Sequence, residues 1–412
     1  MSDPLWDIYD RMMAALQKRM PPSWRHRFFS RRIRHVSLHE KPKASLEVRE
    51  VEEVHELYTP IPISSLPPKR ETEKERASTL PGAPTTGNVL VTGGAGFIGS
   101  AVIEALNQKG IERILVADFL GTDSKWKNLN ALKVDDVVCA DHFLNEIKRH
   151  PDHFGKFSAV FHLGACSATT EANASYLLEN NYAYTKSLCR WALAGKSRFV
   201  YASSAATYGD GSQGMKDQGT NLHDFRPLNM YGYSKHLFDL WARRQGILDR
   251  IVGLKYFNVF GPNEYHKGDM RSLVCKAYEQ IVSTGKIKLF KSYNPEYKDG
   301  EQVRDFVYIK DAVAMTMHLA TTPEAGGLYN IGTGKPRTWL DLANAIFTAL
   351  DREPEIEFID MPENIRGQYQ YHTSANIARL RDTGYKKPAM KLEESIRDYV
   401  KNYLFPGKYL GD

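Results

Sequence analysis

The sequence predicts an α/β fold, a doubly wound parallel sheet with helices on both faces, and three observations support this. From residue 87 onward, short apolar runs alternate with amphipathic helical segments. A glycine-rich turn, Gly93-Gly94-Ala95-Gly96-Phe97-Ile98-Gly99, directly follows the first apolar run. Far downstream, Tyr231 and Lys235 form a Tyr-x-x-x-Lys pair. In such a fold, ligands bind at the carboxyl ends of the strands.

The alternating pattern places the elements in order. Strands are predicted over residues 88–92, 114–118, 159–163, 199–203 and 251–256, and a helix over 100–108. A smaller, less regular lobe is predicted from residues 265–303 and 354–385. We therefore expect a dinucleotide-binding domain over residues 87–264. Residues 265–412 are predicted to form mainly a substrate-binding lobe, with some strands and helices returning to the first domain.

Residues 1–86 are predicted to be a non-globular N-terminal extension. Apolar side chains from Leu5 to Met20 recur at helical spacing, and Pro21-Pro22 ends this amphipathic helix. Residues 11–39 contain several Arg and Lys and no acid. Residues 40–86 are rich in Glu, Lys, Pro, Ser and Thr, a composition typical of a linker.

Composition excludes several classes of protein. Of the 412 residues, 42% are hydrophobic and 25% charged, and the net charge of +6 is too small to indicate nucleic-acid binding. No apolar run approaches the roughly 20 residues of a transmembrane helix. The four cysteines are scattered without the spacing of metal ligands, so no metal site is predicted.

The glycine turn predicts a dinucleotide cofactor. Gly93, Gly96 and Gly99 allow the backbone to approach a pyrophosphate, whose charge lies at the N-terminus of the following helix. Asp118 ends the second predicted strand, where a carboxylate binds an adenosine ribose and indicates NAD. Lys125 is suited to the 2′-phosphate of NADP, although a solvated loop lysine is the alternative. The sequence favours NADP and leaves NAD possible.

The Tyr-Lys pair predicts acid/base chemistry. Four residues apart, Tyr231 and Lys235 share one face of a helix. Lys235 can hold a ribose and lower the pKa of Tyr231 toward neutrality. Ser204 follows a predicted strand, where its hydroxyl can bind a substrate hydroxyl while Tyr231 takes the proton.

These motifs resemble the extended short-chain dehydrogenase/reductase family of nucleotide-sugar enzymes, which has a Rossmann-like fold. They are Gly-x-x-Gly-x-x-Gly, the Ser-Ser-Ala-Ala-Thr-Tyr-Gly run of residues 203–209, and Tyr-x-x-x-Lys. The segments at 162–171, 180–182, 227–235, 256–262 and 266–268 resemble the sugar-nucleotide epimerases of this family. The resemblance extends over residues 88–403 and excludes the extension.

The resemblance implies an NADP-dependent epimerisation of a nucleotide-activated sugar through a transient ketone. Two acid/bases are then needed, and the resemblance assigns these roles to Tyr231 and Lys267. It places Phe97, Ile98, Leu163, Ala165, Asn180 and Val259 at the cofactor, and Asn258, Arg304 and Tyr369 at the substrate. Arg304 suits a diphosphate because its guanidinium binds oxygens bidentately, with an ion pair to Asp305 as the alternative.

The chain also departs from the family pattern. Leu163 stands where the family usually has Glu, Ala140 replaces a Lys, Asp269 a Ser, and Lys276 a His. A second interpretation therefore stays open: a dinucleotide-binding accessory or structural subunit of a larger mitochondrial complex. The predicted partners are a sugar nucleotide and either a homo-oligomer or an assembly bound through residues 1–86. The basic N-terminal region favours a mitochondrial location, with the cytoplasm as the alternative.

Overall fold

Seven parallel strands form the central sheet of the protein, seen in a computed structural model that describes residues 87–367 and 369–412. The predicted extension, residues 1–86, lies outside the described residues. The strands are β1 Val89–Thr92, β2 Ile114–Asp118, β3 Asp136–Cys139, β4 Ala159–His162, β5 Arg198–Ser204, β6 Val252–Tyr256 and β11 Gly327–Ile331. Their order in the sheet is β11-β6-β5-β4-β1-β2-β3. The order reverses between β1 and β4, which is where a doubly wound sheet binds its ligand.

Helices connect the strands and cover both faces of the sheet. They are α1 Phe97–Gln108, α2 Ala140–Arg149, α3 Ala174–Leu177, α4 Tyr184–Ala194, α5 Met230–Arg244, α6 Leu273–Thr284, α7 Ile309–Thr321, α8 Trp339–Ala349, α9 Glu363–Arg366, α10 Ala378–Asp382 and α11 Leu392–Tyr399. The π-helical turn Leu178–Ala183 joins α3 to α4. In the described ranges, no helix combines the length and apolar character needed to cross a membrane.

The five predicted strands are confirmed, with ends that differ by at most one residue, and two further strands complete the sheet. The pattern did not indicate β3 because this edge strand has only four residues and none of them is fully buried. Strand β11 is fully buried, but its sequence, Gly-Leu-Tyr-Asn-Ile, contains two poor strand formers. Helix α1 begins at Phe97, three residues before its predicted start, so it starts inside the glycine turn.

Two apolar layers hold the sheet between its helices. Alternate residues of β1 supply both layers: Val89 and Val91 join one cluster and Leu90 the other. All four residues of β1 are buried. Because the sheet is packed on both faces, the carboxyl ends of its strands are held as a rigid edge.

The smaller lobe is built from three two-stranded pairs. Strand β8 (Ile287–Phe290) pairs in parallel with β13 (Ile356–Ile359), within the region predicted for the lobe. Strand β9 (Val303–Arg304) pairs with β12 (Arg337–Thr338) antiparallel. The third pair, β7 (Asn258–Phe260) with β10 (Phe306–Tyr308), lies just beyond β6. The lobe thus brings Asn258 and Arg304 toward the edge of the sheet.

Candidate active site

A cavity of about 1070 Å³ lies at the carboxyl ends of the central strands. Its lining includes every site residue predicted from the sequence: Gly93, Gly96, Phe97, Ile98, Gly99, Asp118, Lys125, Leu163, Ala165, Asn180, Ser204, Tyr231, Lys235, Asn258, Val259, Lys267, Arg304 and Tyr369. These residues span more than half of the chain, and the sheet and the lobe bring them to one place.

The glycine turn forms a close-fitting cradle at the start of α1. Gly93 has a φ of +68°, the left-handed conformation that favours glycine. A Cβ atom on Gly99 would lie 2.0 Å from the carbonyl oxygen of Gly93. Only glycine allows this packing, and it leaves the N-terminus of the 12-residue helix facing the cavity. The turn therefore fits the pyrophosphate of a dinucleotide.

Asp118 and Lys125 form an ion pair at one end of this cradle. The Lys125 Nζ lies 2.6 Å from one carboxylate oxygen of Asp118, and the backbone N–H of Ala95 donates to the other oxygen at 2.8 Å. Lys125 also donates to the carbonyl of Phe119 at 3.1 Å. The lysine is thus held at the ribose end of the cradle instead of extending into solvent.

Helix α5 carries the predicted acid/base pair. Its N-cap, Asn229, accepts a hydrogen bond from the N–H of Gly232 at 2.8 Å, which fixes the first turn beside the cavity. Burial lowers the pKa of Lys235 to about 8. Burial raises the pKa of Tyr231, and its hydrogen bond with Ser204 opposes this rise. Without a bound cofactor desolvation dominates, so the lowering of this pKa by Lys235 stays a prediction for the cofactor-bound enzyme.

Lys267 lies on the short helical segment Tyr265–Met270, which is a separate element from α5. Its side chain lines the same cavity as Tyr231 and Lys235. Its Nζ lies 5.2 Å from the centroid of the Phe97 ring in the glycine turn. Burial lowers the pKa of Lys267, Glu264 opposes this effect, and Lys276 adds to it. A lowered pKa makes a lysine a better proton carrier than an exposed lysine.

Arg304 is a buried cation at the substrate end of the cavity. Its guanidinium stacks on Tyr369 and Trp339, with centroid distances of 4.9 and 5.6 Å. The alternative ion pair with Asp305 is not formed: that carboxylate accepts hydrogen bonds from Thr333, Gly334 and Ala375. Burial lowers the pKa of Arg304. A guanidinium held between aromatic rings in a cavity is suited to an anionic ligand.

Several residues that support the site were not predicted. His162 lies between Thr92 and Thr185, 2.6 and 2.7 Å from their hydroxyls, and burial lowers its pKa to about 3, which keeps it neutral. Trp339 donates its indole N–H to the hydroxyl of Tyr369 at 2.8 Å. The sequence contained a signal for His162, because this residue begins the segment 162–171 that resembles the sugar-nucleotide epimerases. Trp339 has no local signal, because only the fold brings it to the cavity.

The four departures from the family pattern also line the cavity: Ala140, Leu163, Asp269 and Lys276. The Lys276 Nζ donates to the backbone carbonyl of Asp269 at 3.1 Å. The Lys276 ammonium therefore lies against the backbone of Asp269, two residues from Lys267.

A glycine turn at a helix N-terminus, a Tyr-Lys pair on one helix and a serine hydroxyl beside the tyrosine define a dinucleotide-dependent enzyme of the short-chain dehydrogenase/reductase type. The model of the NAD dependent epimerase/dehydratase family matches residues 89–332. The chain belongs to this family.

Within this family, the chain is similar to proteins of one kind. The chain is 54% identical over 315 residues to the ADP-L-glycero-D-manno-heptose-6-epimerase of Nitratidesulfovibrio vulgaris strain Hildenborough, which covers 76% of this chain and 97% of that protein. It is 46% identical to the enzyme of the same name from Fusobacterium nucleatum, over 77% of this chain and 98% of that protein. The crystal structure of the Helicobacter pylori enzyme matches with a TM-score of 0.64 and 30% identity, over 79% of this chain and 97% of that one.

Proposed function

We propose that the protein is an NADP-dependent epimerase of a nucleotide-activated sugar, with ADP-glycero-manno-heptose as its substrate. One observation carries this proposal: Tyr231 and Lys267, two acid/base candidates on separate elements, line the same cavity as the glycine turn and Arg304. The hydride leaves one face of the carbon and returns to the other, so the sugar oxygen takes two positions, and a separate acid/base at each position can move its proton. The similarity to named heptose epimerases supports the choice of sugar.

The mechanism assigns one task to each side chain. When bound, NADP⁺ would accept a hydride from the sugar and return it. Ser204 holds the sugar hydroxyl, and Tyr231 accepts its proton as C6″ is oxidised to a ketone. Lys267 donates a proton to the carbonyl oxygen when the hydride returns to the opposite face. Arg304 anchors the diphosphate, so the sugar can rotate within the cavity without leaving it.

Lys125 supports NADP over NAD. Its ammonium neutralises Asp118, whose charge would otherwise repel a 2′-phosphate. Its side chain is 20% exposed, so the ammonium is accessible from the cavity it lines. Mass spectrometry of the cofactor released by denaturing the native protein tests this assignment. NAD as the released nucleotide would contradict it, and in Lys125→Met we expect weaker NADP binding with NAD binding retained.

The experiment that tests the reaction is epimerisation of ADP-D-glycero-D-manno-heptose in D₂O, followed by NMR. We expect the C6″ epimer without deuterium on that carbon, because the hydride removed from the carbon returns to it. Deuterium at C6″ would indicate proton abstraction from carbon and would contradict the mechanism. No turnover of this sugar, with turnover of another nucleotide sugar, would contradict only the choice of substrate.

The accessory-subunit interpretation makes a different prediction about size. An enzyme of this kind is expected to elute from size-exclusion chromatography as a small homo-oligomer with epimerase activity. A structural subunit would elute within a much larger particle and lack turnover. The arrangement of Ser204, Tyr231, Lys235 and Lys267 around one cavity favours the enzyme.

A further inference from the structure

A fully buried ion pair joins α5, the helix of Tyr231 and Lys235, to strand β6. The Lys255 Nζ is 2.8 Å from a carboxylate oxygen of Asp239, and both side chains are 0% exposed. The Asp239 carboxylate also accepts hydrogen bonds from the hydroxyls of Tyr201 and Ser203, each at 2.8 Å. Each of its oxygens therefore has a partner within the protein.

The cation of this pair makes a second connection, which leads to Ser204. Lys255 donates to the hydroxyl of Thr207 at 2.5 Å, and that hydroxyl donates to the backbone carbonyl of Ser204 at 2.7 Å. The Lys255 ammonium also lies 4.9 Å from the centroid of the Tyr208 ring. One lysine of β6 thus holds the helical turn Ala205–Tyr208, which begins immediately after Ser204.

The anion of the pair is tied to the helix that carries the other two groups. Asp239 follows Lys235 by one helical turn and Tyr231 by two, so the three share a face of α5. Ser203, which donates to Asp239, directly precedes Ser204 in β5 and lies opposite Lys255 across the β5–β6 pair. The network therefore joins α5, β5, β6 and the following turn at one point.

A buried ion pair is a costly way to hold elements together. Its desolvation penalty offsets much of its attraction, and well-packed apolar residues at such places are often as stabilising or more so. What a fully hydrogen-bonded pair provides is a single geometry, because any displacement leaves a buried charge without a partner. Neither Asp239 nor Lys255 lines the cavity, so both act through other residues.

We propose that Lys255 and Asp239 are positioning residues that fix Ser204 against Tyr231 and Lys235. The proposal rests on the proposed function, because it assigns the pair to the geometry of that reaction. Displacing a reacting group by about 1 Å costs about a hundredfold in rate. In the proposed function Ser204 holds only the reacting hydroxyl, and the rest of the sugar nucleotide binds at Asn258, Arg304 and Tyr369, so KM should depend little on the pair.

The test compares Lys255→Met, the charge-free double variant Lys255→Met/Asp239→Asn, and Lys255→Arg, which keeps the cation. We measure kcat per bound cofactor, KM for ADP-glycero-manno-heptose, and crystal structures. For both Met variants we expect kcat to fall about a hundredfold while KM stays within about threefold. In their structures the hydrogen bond between Ser204 and Tyr231 should be lost. Lys255→Arg should keep the wild-type kcat and the hydrogen bond between Ser204 and Tyr231.

The matched control is Arg198→Met, which removes another buried cation, this one from β5, the strand that pairs with β6 and ends at Ser204. Arg198 lies at the opposite end of β5 and donates to the carbonyls of Leu319, Thr322 and Ala325. The Arg198→Met variant should be less stable than the wild type and should keep the wild-type kcat. Should a Met variant fail to fold, Thr207→Val cuts only the link to Ser204 and should still lower kcat about tenfold.

Two results would overturn the proposal: near-normal kcat with an intact Ser204–Tyr231 hydrogen bond in the double variant, or an equal loss of kcat in Arg198→Met. Failure of the proposed function has a separate signature, which is the absence of epimerase activity in the wild-type protein. In that event the crystal structures alone decide whether the pair positions Ser204.

Discussion

At the scale of single residues, the site is marked by buried cations that have no anionic partner of their own. Within the described part of the chain, the buried Lys235 and Arg304 and the half-buried Lys267 form no salt bridge with a carboxylate, whereas the fully buried Lys255 is paired with Asp239. Unpaired buried charge is costly to the fold. It is tolerated where a ligand supplies the counter-charge, which agrees with a cofactor and a substrate that both carry phosphates.

The two acid/base assignments predict two inactive variants that still bind cofactor. Tyr231→Phe and Lys267→Met should each lower the epimerisation rate at least about a hundredfold, because each removes the proton carrier for one face. Bound cofactor, measured after denaturation, should stay at the wild-type level.

The controls for these variants are exposed residues of the same type. Tyr233 is on the same helix as Tyr231 but is 44% exposed, and Lys286 is an exposed lysine paired with Glu355. Tyr233→Phe and Lys286→Met should keep full activity. A wild-type rate in Lys267→Met would show that a single acid/base serves both faces.

The lowered pKa of Lys235 predicts how stability changes with pH. Between about pH 8, its folded value, and about pH 10.4, its ordinary value, the unfolded chain binds a proton that the folded chain does not. Stability must then rise with pH, by up to about 1.4 kcal/mol per pH unit. Below pH 8 this group adds no slope, because both states are protonated.

Urea unfolding of the cofactor-free protein from pH 7 to pH 10 measures this effect. The free energy of unfolding of the wild type should rise above pH 8 relative to that of Lys235→Met, which lacks the titrating group. The comparison cancels contributions from tyrosines and other groups that both proteins share. Parallel curves would contradict the lowered pKa.

At the scale of elements, the sequence predicted those parts whose signals are local. Five strands, the glycine turn and the helical face of Tyr231 and Lys235 each follow from periodicity or spacing within a short segment. The short edge strand β3 and the Gly-containing strand β11 have weak local patterns. Contacts such as Trp339 on Tyr369, or the position of Arg304 away from Asp305, depend on tertiary packing and could not be predicted from spacing.

The turn between β1 and α1 predicts a sharp effect of one added methyl group. In Gly99→Ala, the Cβ would lie 2.0 Å from the Gly93 carbonyl oxygen, so the turn must open and the cradle is lost. We expect cofactor binding to fall at least about a hundredfold, as measured by calorimetric titration with NADP⁺. The control is Gly195→Ala, where the nearest atom would lie 3.6 Å away. Similar cofactor affinity in the two variants would contradict the role of the turn.

At the scale of the whole molecule, the similarity ends before the N-terminal extension. The Nitratidesulfovibrio and Fusobacterium relatives match 76–77% of this chain while nearly their whole lengths are covered. Residues 1–86 lie outside the match to the family model, which begins at residue 89. We propose that they direct the protein to mitochondria and bind a partner there, because residues 11–39 are basic and contain no acid.

A fluorescent protein fused to residues 1–86 tests the location in eukaryotic cells. We expect a mitochondrial signal, since basic, acid-poor segments that can form an amphipathic helix are typical of such targeting. The matched control replaces the arginines of residues 11–39 with glutamine, which removes the charge and keeps the length. A diffuse cytosolic signal from the unaltered fusion would contradict the mitochondrial proposal and favour a cytoplasmic enzyme.

Deleting residues 1–86 separates the reaction from the binding of partners. Every proposed site residue lies between Gly93 and Tyr369, and the strands and helices that position them lie within residues 87–412. The shortened protein should therefore keep cofactor content, kcat and KM within about twofold.

The amphipathic helix that the sequence predicts from Leu5 to Met20 would bury its apolar face on a partner, because such helices gain most of their stability from packing. Pull-down from its native source should accordingly recover partners with the full chain and not with the shortened one. Equal recovery by both would show that the extension binds no partner, and loss of kcat on deletion would show that it belongs to the catalytic unit.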